Sequence, residues 1–84
     1  MKTTDTEPQI DSTYRIYDAR SLGQALRHFR QEAHLTQAEL AEKMGLNRQY
    51  IVEMEHGLET EQLRRLLRTL RALGVRITLQ KQDW

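Results

Sequence analysis

Asn47, Arg48 and Gln49 stand side by side, a guanidinium between two carboxamides. Such side chains can pair in bidentate fashion with base edges: arginine with O6 and N7 of guanine, an amide with N6 and N7 of adenine. Each good pair is worth roughly 1 to 3 kcal/mol of discrimination between bases. The same guanidinium also suits a phosphate oxygen, a contact that fixes register without reading sequence. Glu53, one helical turn beyond Gln49, carries the wrong charge for phosphate. It can accept from a cytosine amine or exclude other sequences, but a solvated carboxylate is the simpler expectation.

Other chemistries find no support in the chain. His28, His34 and His56 are six and twenty-two residues apart and no cysteine assists them, so they do not make a metal set. No serine, histidine and acid suggest a triad, and no glycine-rich phosphate loop exists. Neither catalysis nor a cofactor is expected.

Base reading needs a rigid element to present it, and residues 37–57 carry the pattern for one. Ala41 is small where a second helix must approach, and Gly45 can take the left-handed conformation that ends a helix. Leu40, Met44, Leu46, Ile51 and Met54 recur at helical spacing on inward faces, with a reversal between Met44 and Asn47. This predicts two helices, 37–44 and 48–55, joined by a short glycine turn: a helix-turn-helix. Thr36 with Glu39 reads as a capping box, and Asn47 as the N-cap of the second helix. An ordinary helical hairpin shares the apolar spacing but not the coincidence of caps, small residue and turn glycine.

The rest of the chain must buttress this pair. Residues 1–13, polar and holding the only proline, read as a mobile arm, and the alternating YRIY at 14–17 suits a brief extended segment. A helix is expected from its N-cap Asp18 to about Ala33, burying Leu22, Ala25, Leu26 and Phe29. Gly57 should close the helix at 48–55. A fourth helix over 60–73 carries a wide apolar face of Leu63, Leu66, Leu67, Leu70 and Leu73 before Gly74 stops it. Val75, Ile77 and Leu79 then alternate with Arg76, Thr78 and Gln80, which predicts a half-buried strand at 75–80 and a tail at 81–84. One strand cannot satisfy its own backbone groups. Its edge is either YRIY or the same strand of a second subunit about a twofold axis, and the second is preferred because charge also calls for a dimer.

That charge argument rests on distribution. The 84 residues make one domain with a small core and a net charge of +1. Residues 1–18 carry a net −2, 19–57 balance five basic against five acidic groups, and 58–84 hold six basic against three acidic. A neutral reading unit implies modest non-specific affinity, so useful binding needs two half-sites engaged together. Arg64, Arg68 and Arg71 share one face of the fourth helix, either a solvated face or a patch for a partner or flanking DNA. Trp84 is either a disordered terminal indole or an anchor for a partner's pocket. The absence of cysteine and of any membrane-spanning or signal-like apolar run points to a soluble protein of the cytoplasm, and a DNA reader there would be associated with the nucleoid.

LTQAELAEKMGL at 35–46 and MEHG at 54–57 resemble the wording of the Xre/Cro family of helix-turn-helix repressors. Within it, the lead-in YRIYDARSLGQALRHFRQ, four helices, the strand LGVRITL and a short tail are similar to HipB-like antitoxins. The likeness implies a mainly α, four-helix, Xre/lambda-repressor-like domain at 14–74 with a C-terminal β-strand, carrying Val75, Ile77 and Leu79, that pairs across a homodimer. It also implies a sequence-specific repressor on a pseudo-palindromic operator. Its partner would be a HipA-like serine/threonine kinase toxin, with Arg64, Arg68, Arg71 and Trp84 as possible contacts. In that geometry the second motif helix enters the major groove with Asn47, Arg48 and Gln49 toward the bases. Thr36, Gln37, Lys43 and Tyr50 are the phosphate candidates. The family's glutamine at Gln37 also orders the recognition helix, whereas capping alone explains Thr36, and Lys43 and Tyr50 have a plain surface reading. Arg30 and Glu55 match a partly buried ion pair of the family, the alternative being two independent surface residues. Two other functions share this fold: a stand-alone Xre-type regulator, and a protein-interaction adaptor without DNA affinity.

Overall fold

The computed structural model describes residues 13–82, which form β1 (Tyr14–Ile16), α1 (Ala19–Glu32), α2 (Gln37–Met44), α3 (Arg48–Glu55), α4 (Glu61–Ala72) and β2 (Ile77–Leu79). Trp84 and all but Thr13 of the expected arm lie outside the described residues.

Local chemistry sets the helix ends. Asp18 accepts from the Ser21 N–H at 2.9 Å while Ser21 Oγ accepts from the Asp18 N–H at 3.0 Å. The backbone bond from Ser21 holds the Asp18 carboxyl below the usual carboxylate range. Thr36 and Glu39 make the expected box, with the Glu39 N–H 3.0 Å from Thr36 Oγ1 and the Thr36 N–H 2.8 Å from Glu39 Oε1. Thr60 caps α4 through the Leu63 N–H at 3.1 Å. All four helices close alike, an amide reaching back five residues: Leu35 to Arg30, Leu46 to Ala41, Leu58 to Glu53 and Val75 to Leu70, at 2.8 to 3.2 Å. The residue before each of these amides has positive φ, and three are the glycines 45, 57 and 74. His34 is the exception, at φ 62, a conformation in which its Cβ is crowded.

α1 packs chiefly on α3, and α3 on α2. The core between them is small: Ala19, Ala25, Ala41 and Ile51 are buried, joined by Ile16 from β1. Leu22, Leu26 and Phe29 of the expected stripe are half-buried. Of the five motif anchors, Ile51 is buried and Leu40 and Met54 are half-buried, but Met44 and Leu46 are exposed. These two flank the α2–α3 turn, 60% and 43% exposed.

The strand at the C-terminus corrects two expectations. It is shorter than 75–80, because Val75 gives its N–H to Leu70 in closing α4, at 3.1 Å. Its edge comes from the same chain: β1 and β2 are antiparallel, with Tyr14 opposite Leu79, Arg15 opposite Thr78 and Ile16 opposite Ile77. The YRIY segment, and not a second subunit's strand, supplies this edge, which leaves pairing across a dimer to the other edge of β2. The cause is Tyr14, whose ring lies 4.8 Å from that of His28 and 5.5 Å from that of Phe29, so that α1 holds β1 ready as a template. Tyr14, Ile16, Ile77 and Leu79 face inward as cross-strand pairs, and Arg15 and Thr78 face out.

α4 completes the domain without burying any of its residues. Leu63, Leu67 and Leu70 are half-buried, while Leu66 is 54% and Leu73 69% exposed. Arg71 ties the helix to the end of β1, donating from Nη2 to the Tyr17 carbonyl at 2.8 Å. No helix among the described residues is long and apolar enough to cross a membrane.

Candidate nucleic-acid interface

The first turn of α3 stands out from the domain with Arg48, Gln49 and Tyr50 exposed. The Asn47 cap fixes where that turn begins, its Oδ1 accepting from the Gln49 N–H at 2.7 Å. This commits the Asn47 oxygen and leaves its amide nitrogen. Gln49 reaches along the helix to donate to Glu53 Oε2 at 3.2 Å, so Glu53, expected to be merely solvated, steadies a neighbour.

Behind this turn a cleft of about 510 Å³ opens between α1, the start of α2 and α3, lined by Arg27, Thr36, Gln37, Arg48, Val52 and His56 among others. Its charged lining residues are basic, and it includes the start of α2, where free backbone N–H groups and the positive dipole end favour an anion. Arg27 and His56 were not among the residues expected here. Arg27 precedes Arg30 by three positions and so shares its helix face, a signal present in the sequence. Lys43 lies in the last turn of α2, exposed and outside this lining.

Arg30 and Glu55 meet beneath the cleft. Arg30 Nε donates to Glu55 Oε2 at 2.5 Å and Nη2 to Oε1 at 3.1 Å, while Nη1 donates to the Leu35 carbonyl at 2.8 Å. The two side chains are 10% and 3% exposed. Burial alone pushes the Glu55 carboxyl upward, but bonds from Arg30 and Gln37 outweigh it and leave it below the usual range. The hydrogen bond to Glu55 in turn raises the Arg30 guanidinium. Gln37 joins this pair to the surface, donating from Nε2 to Glu55 Oε1 at 3.1 Å and accepting from Arg48 Nη2 at 3.4 Å.

The arginines of α4 are not gathered at this interface. Arg64 is bonded to Glu61 and Arg71 to Tyr17, while Arg68 is exposed. Two of the trio are thus occupied within the chain.

Two crossed helices, a glycine-closed turn and an exposed polar first turn on the second define a helix-turn-helix domain. A model of the helix-turn-helix family matches residues 26–80. The chain belongs to that family and is of Xre/Cro type, a non-catalytic, DNA-binding regulatory module. No curated protein and no solved structure matches it significantly.

Proposed function

We propose that the chain is a sequence-specific repressor that binds a pseudo-palindromic operator as a homodimer and serves as the antitoxin of a HipA-like serine/threonine kinase toxin. The observation that carries the DNA reading is the exposed first turn of α3 beside a cation-lined cleft. With α3 in the major groove, Arg48 and Gln49 face base edges and Asn47 contributes its remaining donor. The cleft, with Arg27, Thr36 and His56, receives a flanking phosphate, and Lys43 and Tyr50 touch backbone further along.

Duplexes selected from a randomised pool should lose affinity steeply as salt rises. Arg48→Ala should flatten preference at one base pair per half-site, by the roughly 1 to 3 kcal/mol of a bidentate contact. Equal weakening on every sequence makes Arg48 a phosphate ligand, and failure to select any sequence removes the DNA reading.

Dimerisation is supported by what the C-terminal third leaves uncovered. Among the described residues the sheet has two strands, so β2 keeps one edge open to a twofold-related β2. Leu66 of α4 and Leu73 at its C-cap, seven residues apart, add a second exposed apolar surface. Leu66→Glu combined with Leu73→Glu should convert a dimer to a monomer by light scattering while helical circular dichroism stays unchanged. A variant that remains dimeric excludes this face.

The antitoxin part is supported by the likeness to HipB-like chains, in which a strand follows four helices. A stand-alone regulator is the second reading, favoured by the in-chain bonds of Arg64 and Arg71. Co-expression with a HipA-like kinase separates the two: a stable complex supports the antitoxin, and operator binding without one supports the regulator.

A further inference from the structure

Arg48 opens α3 and Glu55 closes it. Two turns of helix, about 10 Å at 1.5 Å per residue, keep them from direct contact. Gln37 spans the gap from α2, 3.1 Å from Glu55 Oε1 through Nε2 and 3.4 Å from Arg48 Nη2 through Oε1. We propose that Glu55 is a positioning residue for Arg48, acting through the amide of Gln37; this rests on the base-reading role proposed for Arg48.

The donors and acceptors allow one arrangement. An ionised carboxylate only accepts and a guanidinium only donates, so the amide between them must turn its nitrogen to Glu55 and its oxygen to Arg48. A reversed amide sets two acceptors together at one end and two donors at the other. Glu55 cannot swing away to relieve such a clash, because Arg30 holds both of its oxygens and its side chain is 3% exposed. The bonds therefore run from α1 to α3 to α2 and back to the first turn of α3. Arg48 is held beside the α2 N-terminus before DNA arrives, with its other N–H groups available for a base edge. Holding it there reduces the rotamer freedom lost on docking. Gln37 is accordingly a bridge as well as a phosphate candidate.

The test is selection on a randomised duplex pool with the full chain and its variants. Wild type should enrich a motif containing one position that Arg48→Ala flattens. Gln37→Met leaves the Arg30–Glu55 pair in place, and it should flatten that same position, from on the order of tenfold or more to about threefold or less, with other positions unchanged. Gln37→Met combined with Arg48→Ala should be no flatter there than Arg48→Ala alone, as expected of members of one network. Glu55 is removed in two ways, by Glu55→Gln and by Arg30→Met with Glu55→Met, the second stranding no charge. Each folded variant should reproduce the Gln37→Met profile. Full preference at that position in Gln37→Met or in a folded Glu55 variant, or equal weakening at all positions, overturns the relay while the DNA reading stands. A wild-type chain that enriches no sequence overturns the base reading and the relay together.

Discussion

Arg30→Ala is expected to lose about 3 to 5 kcal/mol of folding stability, the range for breaking a buried ion pair from one side. It strands Glu55, 3% exposed, with the neutral amide of Gln37 as its remaining side-chain partner. Glu55→Ala should cost somewhat less within that range. The guanidinium it strands keeps the Leu35 carbonyl at 2.8 Å and has a long stem on which to reach water. Replacing both, as Arg30→Met with Glu55→Met, should cost less than either single change, since no charge is left buried. Urea unfolding at one protein concentration measures all three, with the m-value showing whether the denatured state has changed. Losses below about 1 kcal/mol in both single variants would mean that the pair is solvated, as exposed ion pairs are.

The same pair shapes the response to acid. Glu55 and Asp18 both titrate below their ordinary values when folded, Glu55 through Arg30 and Gln37 against the opposing effect of burial, Asp18 through Ser21. Depressed carboxyls add stability that is fully present above the unfolded values, near pH 4, and that disappears as pH falls through the folded ones. Stability should therefore hold from neutrality down to about pH 5 and then decline. In Arg30→Met with Glu55→Met the acid limb should be shallower, leaving Asp18 as a contributor. An unchanged limb in that variant would place the responsible carboxyls elsewhere.

The parts of this domain legible in the sequence are those fixed by neighbours. α2 and α3 begin and end where expected because Thr36, Glu39, Gly45, Asn47 and Gly57 cap or close them within a few residues. The partner of β2 was not legible in that way. It depends on Tyr14 settling against His28 and Phe29 of α1, a contact between segments that helical or strand periodicity does not register. Met44 and Leu46 share the spacing of buried anchors but sit at a corner, and spacing cannot say where the covering element stops. At the site, residue type placed Arg48 and Gln49 on the exposed turn. The bonds from Gln49 to Glu53 and from Gln37 to Glu55 depend on side-chain rotamers and on the approach of α2 to α3, which lie beyond a one-dimensional pattern.

Gly23→Ala shows the same limit from the other side, and its expected effect is large. A glycine inside α1 reads locally as a weakness, and alanine there should strengthen an isolated helix by roughly 0.5 to 1 kcal/mol. In the folded chain the sign reverses. A Cβ at Gly23 would lie 2.3 Å from the carbonyl oxygen of Met54 and 2.8 Å from that of Glu55. Both obstacles are backbone, so neither can rotate away; α1 and α3 would have to separate. Ala25 and Ile51, buried in this core, would lose packing as the helices part. The Arg30–Glu55 bonds, which join the same two helices, would stretch with it. Overpacking of this kind typically costs about 1 to 3 kcal/mol, enough to overcome the propensity gain. Because α3 also presents Arg48 and Gln49, operator affinity should fall even where the variant remains folded. Gln24→Ala, one residue along α1 on an exposed face, is the control and should stay within about 0.5 kcal/mol of wild type. A Gly23→Ala protein as stable as that control would show that the two helices do not meet at Gly23.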